Sequence, residues 1–299
     1  NTNSDVQIRD MYFDAAYRTE ALPRVGQYKV PFNREELTSS SSLQLVERSI
    51  VNEEFSLARD IGTSLYGLLG NYFVYGGGVF NGDGKNAFST DSNMLYAGRI
   101  MFTPCCGKLK YANESYPIGG DYKIEPNFGE DKPLIAFGVA AAGMEGLNIT
   151  QKTPDSTALV DRFDQIGIDE GNFEQITADV NFKYKAFSIE GEYDGRWIQP
   201  EAGQGVSTSS VFDQGFRVQS GVFLLPCLVE VAGRFAYIDY DNDVPGPTSS
   251  YEITPGLNFY MSRSHKWKIQ LSYSYIKDQF NDSSDVNENV FRAQLQAYF

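Results

Sequence analysis

Apolar and polar residues alternate with a period of two along most of this 299-residue chain, and nothing else in it limits the fold as much. Ile176, Ala178, Val180, Phe182 and Tyr184 alternate with Thr177, Asp179, Asn181 and Lys183. Trp267, Ile269, Leu271, Tyr273 and Tyr275 alternate with Lys268, Gln270, Ser272 and Ser274, and Phe291, Ala293, Leu295, Ala297 and Phe299 with Arg292, Gln294, Gln296 and Tyr298. Side chains two apart share one face of a strand, so the pattern predicts an all-β fold of about thirteen strands. The strands run to about ten residues or more, the length a tilted strand needs to cross a bilayer, whereas soluble strands average only five or six. Their polar faces also carry charge on strand after strand, as a water-filled interior permits and a packed sandwich core does not.

Composition decides between the membrane architectures. No apolar run approaches the eighteen or so residues of a membrane helix; the longest candidate, Leu134 to Met144, is short and rich in Gly and Ala. A closed β-barrel satisfies every backbone group in lipid without such a run. Modest mean hydropathy (−0.35) with 19 Tyr and 21 Phe suits strands that show only one face to lipid. A net charge of −14 argues against nucleic acid as a partner. Three cysteines make no disulfide framework, and the polar start at Asn1 lacks a leader pattern, so a processed or truncated product is expected.

The connections divide into two classes. Short turns are predicted at Thr19–Pro23, Gly67–Gly70, Lys185, Pro226 and Ser262–His265, with longer polar segments between. That asymmetry is the one expected of periplasmic turns and outer loops on an antiparallel transmembrane β-barrel, a single domain over residues 1–299 in a bacterial outer membrane. Residues 104–133 read as an insertion on the periplasmic side. Pro31, which has no N–H for a ladder, ends a strand and opens the excursion of residues 32–57. A loop this long in a compact fold is usually functional, although an ordinary surface loop is the simpler reading.

The stretch GQYKVPFNREELTSSSSLQLVERS, followed by ARDIGTSLYG, resembles the phosphate-selective porin O/P family. The residues that carry the likeness are Pro31-Phe32, Thr38-Ser39-Ser40, Glu47-Arg48 and Arg59-Asp60-Ile61-Gly62. It extends more weakly to Arg9-Asp10-Met11-Tyr12, Ala97-Gly98-Arg99 and Thr103-Pro104, and Phe299 ends the chain as outer-membrane strands do. The resemblance implies a sixteen-stranded barrel whose loop after the fifth strand folds inward as a constriction. On that count three strands are expected before Asn1, and 32–57 is the constriction loop. The family's anion-selective members carry lysines in that loop, where this chain has Ser39 to Ser42, which puts phosphate specificity in doubt.

Function is then a potential along a pore, set by inward-facing charge. The candidate pore residues are Lys29, Arg99, Arg217, Arg234 and Arg292 on the inner face, and Arg34, Arg48 and Arg59 in or beside the loop; Lys268 also faces inward. A guanidinium fork matches phosphate oxygens. The competing reading is that these arginines pair with Glu190, Glu192, Asp194 and Glu230, which share the face. Asp239, Asp241 and Asp243 are a weak calcium candidate without the glycine and glutamate of a calcium loop, and solvated charge is the simpler account. Cys105, Cys106 and Cys227 lie near inferred periplasmic turns, as free thiols or as a bridge. His265, the single histidine, has no acid spaced to orient it, so the reading is not an enzyme and needs no cofactor. Two hypotheses follow. One is an outer-membrane porin, homotrimeric, in contact with lipid and lipopolysaccharide and passing small hydrophilic solutes with a preference for anions. The other is a structural barrel that anchors or sheathes a partner protein.

Overall fold

In the computed structural model the described residues are 8–15, 17–70, 72–87, 92–104, 133–151, 158–201, 210–262, 265–281 and 284–297. They contain thirteen strands: β1 (Met11–Asp14), β2 (Leu22–Lys29), β3 (Arg59–Leu69), β4 (Phe73–Phe80), β5 (Leu95–Phe102), β6 (Leu134–Asn148), β7 (Glu170–Tyr184), β8 (Phe187–Pro200), β9 (Val211–Leu225), β10 (Val229–Asp239), β11 (Ser249–Tyr260), β12 (Trp267–Gln279) and β13 (Val286–Ala297). They form one sheet in sequence order, each strand antiparallel to the next. The predicted length holds for β3 and β6–β13, but β2, β4 and β5 have 8 residues and β1 has 4. Local chemistry sets some of these ends. β2 stops just before Val30-Pro31, and β4 runs into a turn whose Gly82 takes φ +80°.

Burial is inverted relative to a soluble sheet. On β7 the buried side chains are Gln175, Thr177, Asp179, Asn181 and Lys183, while Ile176 and Val180 are about 40% exposed. On β9 Arg217 and Gln219 are buried and Phe216 and Val218 exposed, and β10 shows Arg234 against Val231 and Phe235 in the same way. The apolar face is therefore the outer one. Tight connections sit at one end of the sheet, at Lys185 (φ +50°) between β7 and β8 and at Cys227 (φ +58°) between β9 and β10. The β2–β3, β6–β7 and β10–β11 connections at the other end are longer. The expected insertion at 104–133 falls almost wholly outside the described residues, as do Cys105, Cys106 and Phe299.

Residues 32–57 lie against the polar face. They form two short helices, α1 (Arg34–Leu37) and α2 (Ile50–Phe55), with a 3-10 turn at Ser40–Ser42 between them. This segment shows that the sheet is curled. Lys29 of β2 donates to the Thr38 carbonyl (3.2 Å) and Gln296 of β13 to the Ser41 carbonyl (3.1 Å). Strands 2 and 13 stand eleven places apart in the sheet order, which in a flat sheet is about 50 Å. Three residues of chain span at most ~11 Å, so the two ends of the sheet must bend round the loop. A third helix, α3 (Ala158–Ile166), packs its Leu159, Phe163 and Ile166 into an interior apolar cluster with Phe32, Tyr66, Phe80 and Phe173.

Candidate functional site

Helices of one or two turns do not hold in water on their own, so the shape of residues 32–57 needs outside support. Part is local. Val30 N–H bonds the Ala58 carbonyl (3.0 Å) across the base, and Ser49 caps α2 by accepting from the Asn52 amide (3.1 Å). The rest comes from the wall. Arg99 donates to the Phe32 carbonyl (2.9 Å), Asn33 to Asp194 (2.6 Å) and Arg34 to Glu190 (2.6 Å). Lys268 and Gln270 hold the Leu43 carbonyl (2.9 and 3.2 Å), and Asn258 holds that of Gln44 (2.7 Å). Gln44 donates to Glu230, and Gln175 to the Phe55 carbonyl (2.5 Å). Two wall glycines make room: a Cβ on Gly221 would lie 2.0 Å from Gln44 Nε2, and one on Gly256 would lie 2.4 Å from Leu45 Cδ2.

The sequence-predicted basic residues separate into two groups. Arg34, Arg99, Arg217 and Arg234 sit in closed ion pairs with side chains 0–2% exposed. Arg34 meets Glu190, Arg99 meets Asp179 (2.5 Å), Arg217 meets Glu190 and Glu192 (2.5 and 2.6 Å), and Arg234 meets Glu252 (2.6 Å). Arg217 and Arg234 also reach Glu35 of α1, at 3.0 and 3.3 Å. These four guanidiniums bind loop to wall and neutralise wall acids, leaving them closed to a passing solute.

Lys29, Arg48 and Arg59 form the second group. All three surround one carboxylate, Glu36, at 3.5, 3.2 and 3.9 Å, with side chains 15–21% exposed. They line an opening of about 180 Å³ between the loop and β1–β3, together with Arg9, Asp10, Tyr12, Arg24, Tyr28, Leu37, Ser39 and Ser40. Arg59 is shared with Asp10 (3.0 Å), and Arg24 is committed to Asp14 (2.6 Å) beneath the Tyr12 ring. The three cations outnumber the two acids they pair with, Glu36 and Asp10, and Arg9 adds a further cation to the lining, which leaves this opening positive.

The remaining candidates stand apart. Arg292 donates to Ser274 Oγ (3.1 Å) on the β12–β13 side, away from the basic opening. Asp239 accepts from Gln214 (3.2 Å), and Asp241 accepts from the amides of Phe212 and Asp243 (3.0 and 2.9 Å). Among the described residues no three His, Cys, Asp or Glu side chains gather as a metal site. Cys227 lies in the β9–β10 turn, and its two candidate partners are outside the described residues. His265 Nδ1 sits 3.2 Å from Lys268 Nζ, with its ring edge-on to Tyr260.

Sequence reasoning missed the acids that organise both groups, Glu35 and Glu36, because a helix-forming loop has no period-two signal. It also missed a second interior cluster. Arg196 meets Asp213 (2.8 Å) and Glu54, and Arg162 of α3 also meets Asp213 (2.8 Å), its guanidinium over the Tyr240 ring. Continuing the inward series Ser188, Glu190, Glu192, Asp194 by two residues reaches Arg196. Nothing local points to Arg162.

Against known proteins, residues 1–118 and 228–299 match the family described as phosphate-selective porin O and P. An uncharacterized protein of Aquifex aeolicus (strain VF5) is 26% identical over 319 residues, spanning 99% of this chain and 68% of its own. Among solved structures, OmpT of Vibrio cholerae aligns with a TM-score of 0.54 at 8% identity, over 91% of this chain and 75% of its own. OprB of Pseudomonas putida, in its high-pH structure, aligns with a TM-score of 0.50 at 9% identity, over 91% and 68%. At such identities the structural likeness speaks for the fold, an outer-membrane β-barrel, and the family match speaks for membership. The chain, with its charged interior and its apolar outer face, belongs to the phosphate-selective porin O and P family and is a porin of the bacterial outer membrane.

Proposed function

We propose that this porin passes small hydrophilic solutes passively, with a preference for anions, through the opening between the 32–57 loop and β1–β3. No chemical step is involved, and the working unit in this reading is a homotrimer. The observation that carries the anion preference is the arrangement of Lys29, Arg48 and Arg59 around Glu36, three cations that outnumber their two acid partners, Glu36 and Asp10. The loop is the constriction, since its backbone is tied to the wall on several strands and it leaves free space on the β1–β3 side. Ser39 and Ser40 add hydroxyl donors to the lining, in keeping with oxyanion passage.

Reversal potentials in a KCl gradient across planar bilayers test this. One unit charge about 8 Å from a passing ion is worth about 0.5 kcal/mol even in bulk water, with opposite sign for chloride and potassium, so Arg48→Ala is expected to lower the chloride-to-potassium permeability ratio roughly fivefold. Asp243→Ala, in the β10–β11 connection, is expected to leave it nearly unchanged. Phosphate should block small-ion current at low salt in the parent and less in Arg48→Ala. An unchanged ratio in Arg48→Ala would remove the anion preference, and a barrel silent in bilayers would favour the anchoring reading.

A further inference from the structure

The clamp on Arg48 lies on the far side of the loop from the opening. The Arg48 side chain crosses the loop, donating to the carbonyls of Glu35, Glu36 and Thr38 (3.2, 3.3 and 2.9 Å) on its way to Glu36. Its backbone is fixed to the opposite wall. Arg234 of β10 donates to the carbonyl of Arg48 (2.9 Å) and to that of Glu47 (2.9 Å). The same guanidinium is aimed by Glu252 of β11, which accepts from Nε (2.9 Å) and Nη2 (2.6 Å). The other Glu252 oxygen accepts the Ile50 amide (3.0 Å), and Glu35 accepts the Ser49 amide (3.2 Å). Four consecutive residues, 47 to 50, are thereby caught by one buried ion pair and its neighbour on α1. The Arg234 side chain is 2% exposed and does not line the basic opening.

We propose that Arg234 is a positioning residue for selectivity: it sets the anion preference of the pore by fixing where Arg48 presents its guanidinium, without itself facing the solute. This rests on the reading of Arg48 given above. The physical requirement is the fork. One planar guanidinium supplies donors in fixed directions to a carboxylate and two carbonyls at once. A lysine at this position carries the same charge but presents its donors from a single point on a flexible stem, and cannot hold all three.

The test uses the full-length porin in planar bilayers, with reversal potentials for the parent, Arg48→Ala, Arg234→Lys and the double variant. Heat-modified mobility on gels verifies assembly of each. Arg48→Ala is expected to lower the chloride-to-potassium ratio roughly fivefold. Arg234→Lys should lower it at least about twofold although no charge has changed, and the double variant should equal Arg48→Ala. A parental ratio in Arg234→Lys while Arg48→Ala shifts it would overturn the inference and leave the proposed function standing. A shift in Arg234→Lys that persists on the Arg48→Ala background would also overturn it. No shift in Arg48→Ala would bring down the proposed function and the inference together. Glu252→Gln gives a reading independent of whether Arg234→Lys assembles. Loss of an acid alone should raise the ratio, so a fall reports lost position and a rise refutes it.

Discussion

Arg34→Ala should release the first turn of the loop without unfolding the barrel. The Arg34 side chain is fully buried, with Nε 2.6 Å from Glu190 and Nη1 3.7 Å from Asp179. Removing one partner of a buried ion pair usually costs about 3–5 kcal/mol, mostly because the other charge is left uncompensated. Here both acids keep a cation, Arg217 for Glu190 (2.5 Å) and Arg99 for Asp179 (2.5 Å), so the low end applies, about 3 kcal/mol. That is roughly a hundredfold in the equilibrium between docked and released loop. Hydrogen exchange followed by mass spectrometry reads it directly, as faster exchange of the amides in 34–55 with the strands unchanged. Liposome swelling should show larger sugars entering. Arg34→Ala combined with Glu190→Gln should recover part of the loss, because the carboxylate left with one cation where it had two has gone. If loop exchange and the sugar cut-off both stay at the parental value in Arg34→Ala, the ion pairs do not hold the loop and the reasoning fails.

Two further outcomes are expected. Phe291 is 68% exposed on the outer face in the middle of β13, so Phe291→Arg should cut outer-membrane assembly by a midplane penalty of roughly 2–4 kcal/mol, while Gln294→Arg on the inner side assembles normally; equal yields in membrane fractions would reverse the facing. Gly138→Ala should lower the heat-dissociation midpoint, since its Cβ would fall 2.3 Å from Arg99 Nη2 and 2.4 Å from Asp179 Oδ2. Gly233→Ala, with nothing within 4 Å of the new methyl, should hold or raise that midpoint, as a stabilisation of at most about 1 kcal/mol would.

Most of the fold was legible because it depends on a local rule. Period-two alternation fixes which side chains share a face, and a face of Gln175, Thr177, Asp179, Asn181 and Lys183 beside one of Ile176 and Val180 admits few environments. Turn chemistry at Lys185 and Pro226 then placed the tight ends. The site was less legible because its pairings are remote. Arg34 finds Glu190 across 156 residues and Gln44 finds Glu230 across 186, and alternation says which face a residue is on but not what stands opposite across the interior. Arg162 shows the same limit, because its helix lies in a polar connection and its partner Asp213 is on another strand. The resemblance around Pro31 and Arg48 located the loop, but only the folded chain shows which of its acids, Glu35 or Glu36, serves the wall and which the opening.

The interior cations have two separate uses, and the loop's backbone explains why. A segment crossing the inside of a barrel has no ladder partner for its carbonyls, and buried backbone groups left unpaired are costly. The wall therefore supplies donors, from Arg99 to Phe32, Lys268 to Leu43, Asn258 to Gln44, Arg234 to Glu47 and Arg48, and Arg196 to Glu54. Four of these five donors are cationic, and each one used this way is oriented by a carbonyl or a carboxylate and screened from solute. A polar inner face is thus as much a requirement of folding the loop as of wetting the pore. Inward arginines overstate anion preference when they are simply counted. Lys29, Arg48 and Arg59 differ because they outnumber their two acids, Glu36 and Asp10, at an open surface. Donors consumed by the loop's backbone have to be subtracted before interior charge is read as selectivity.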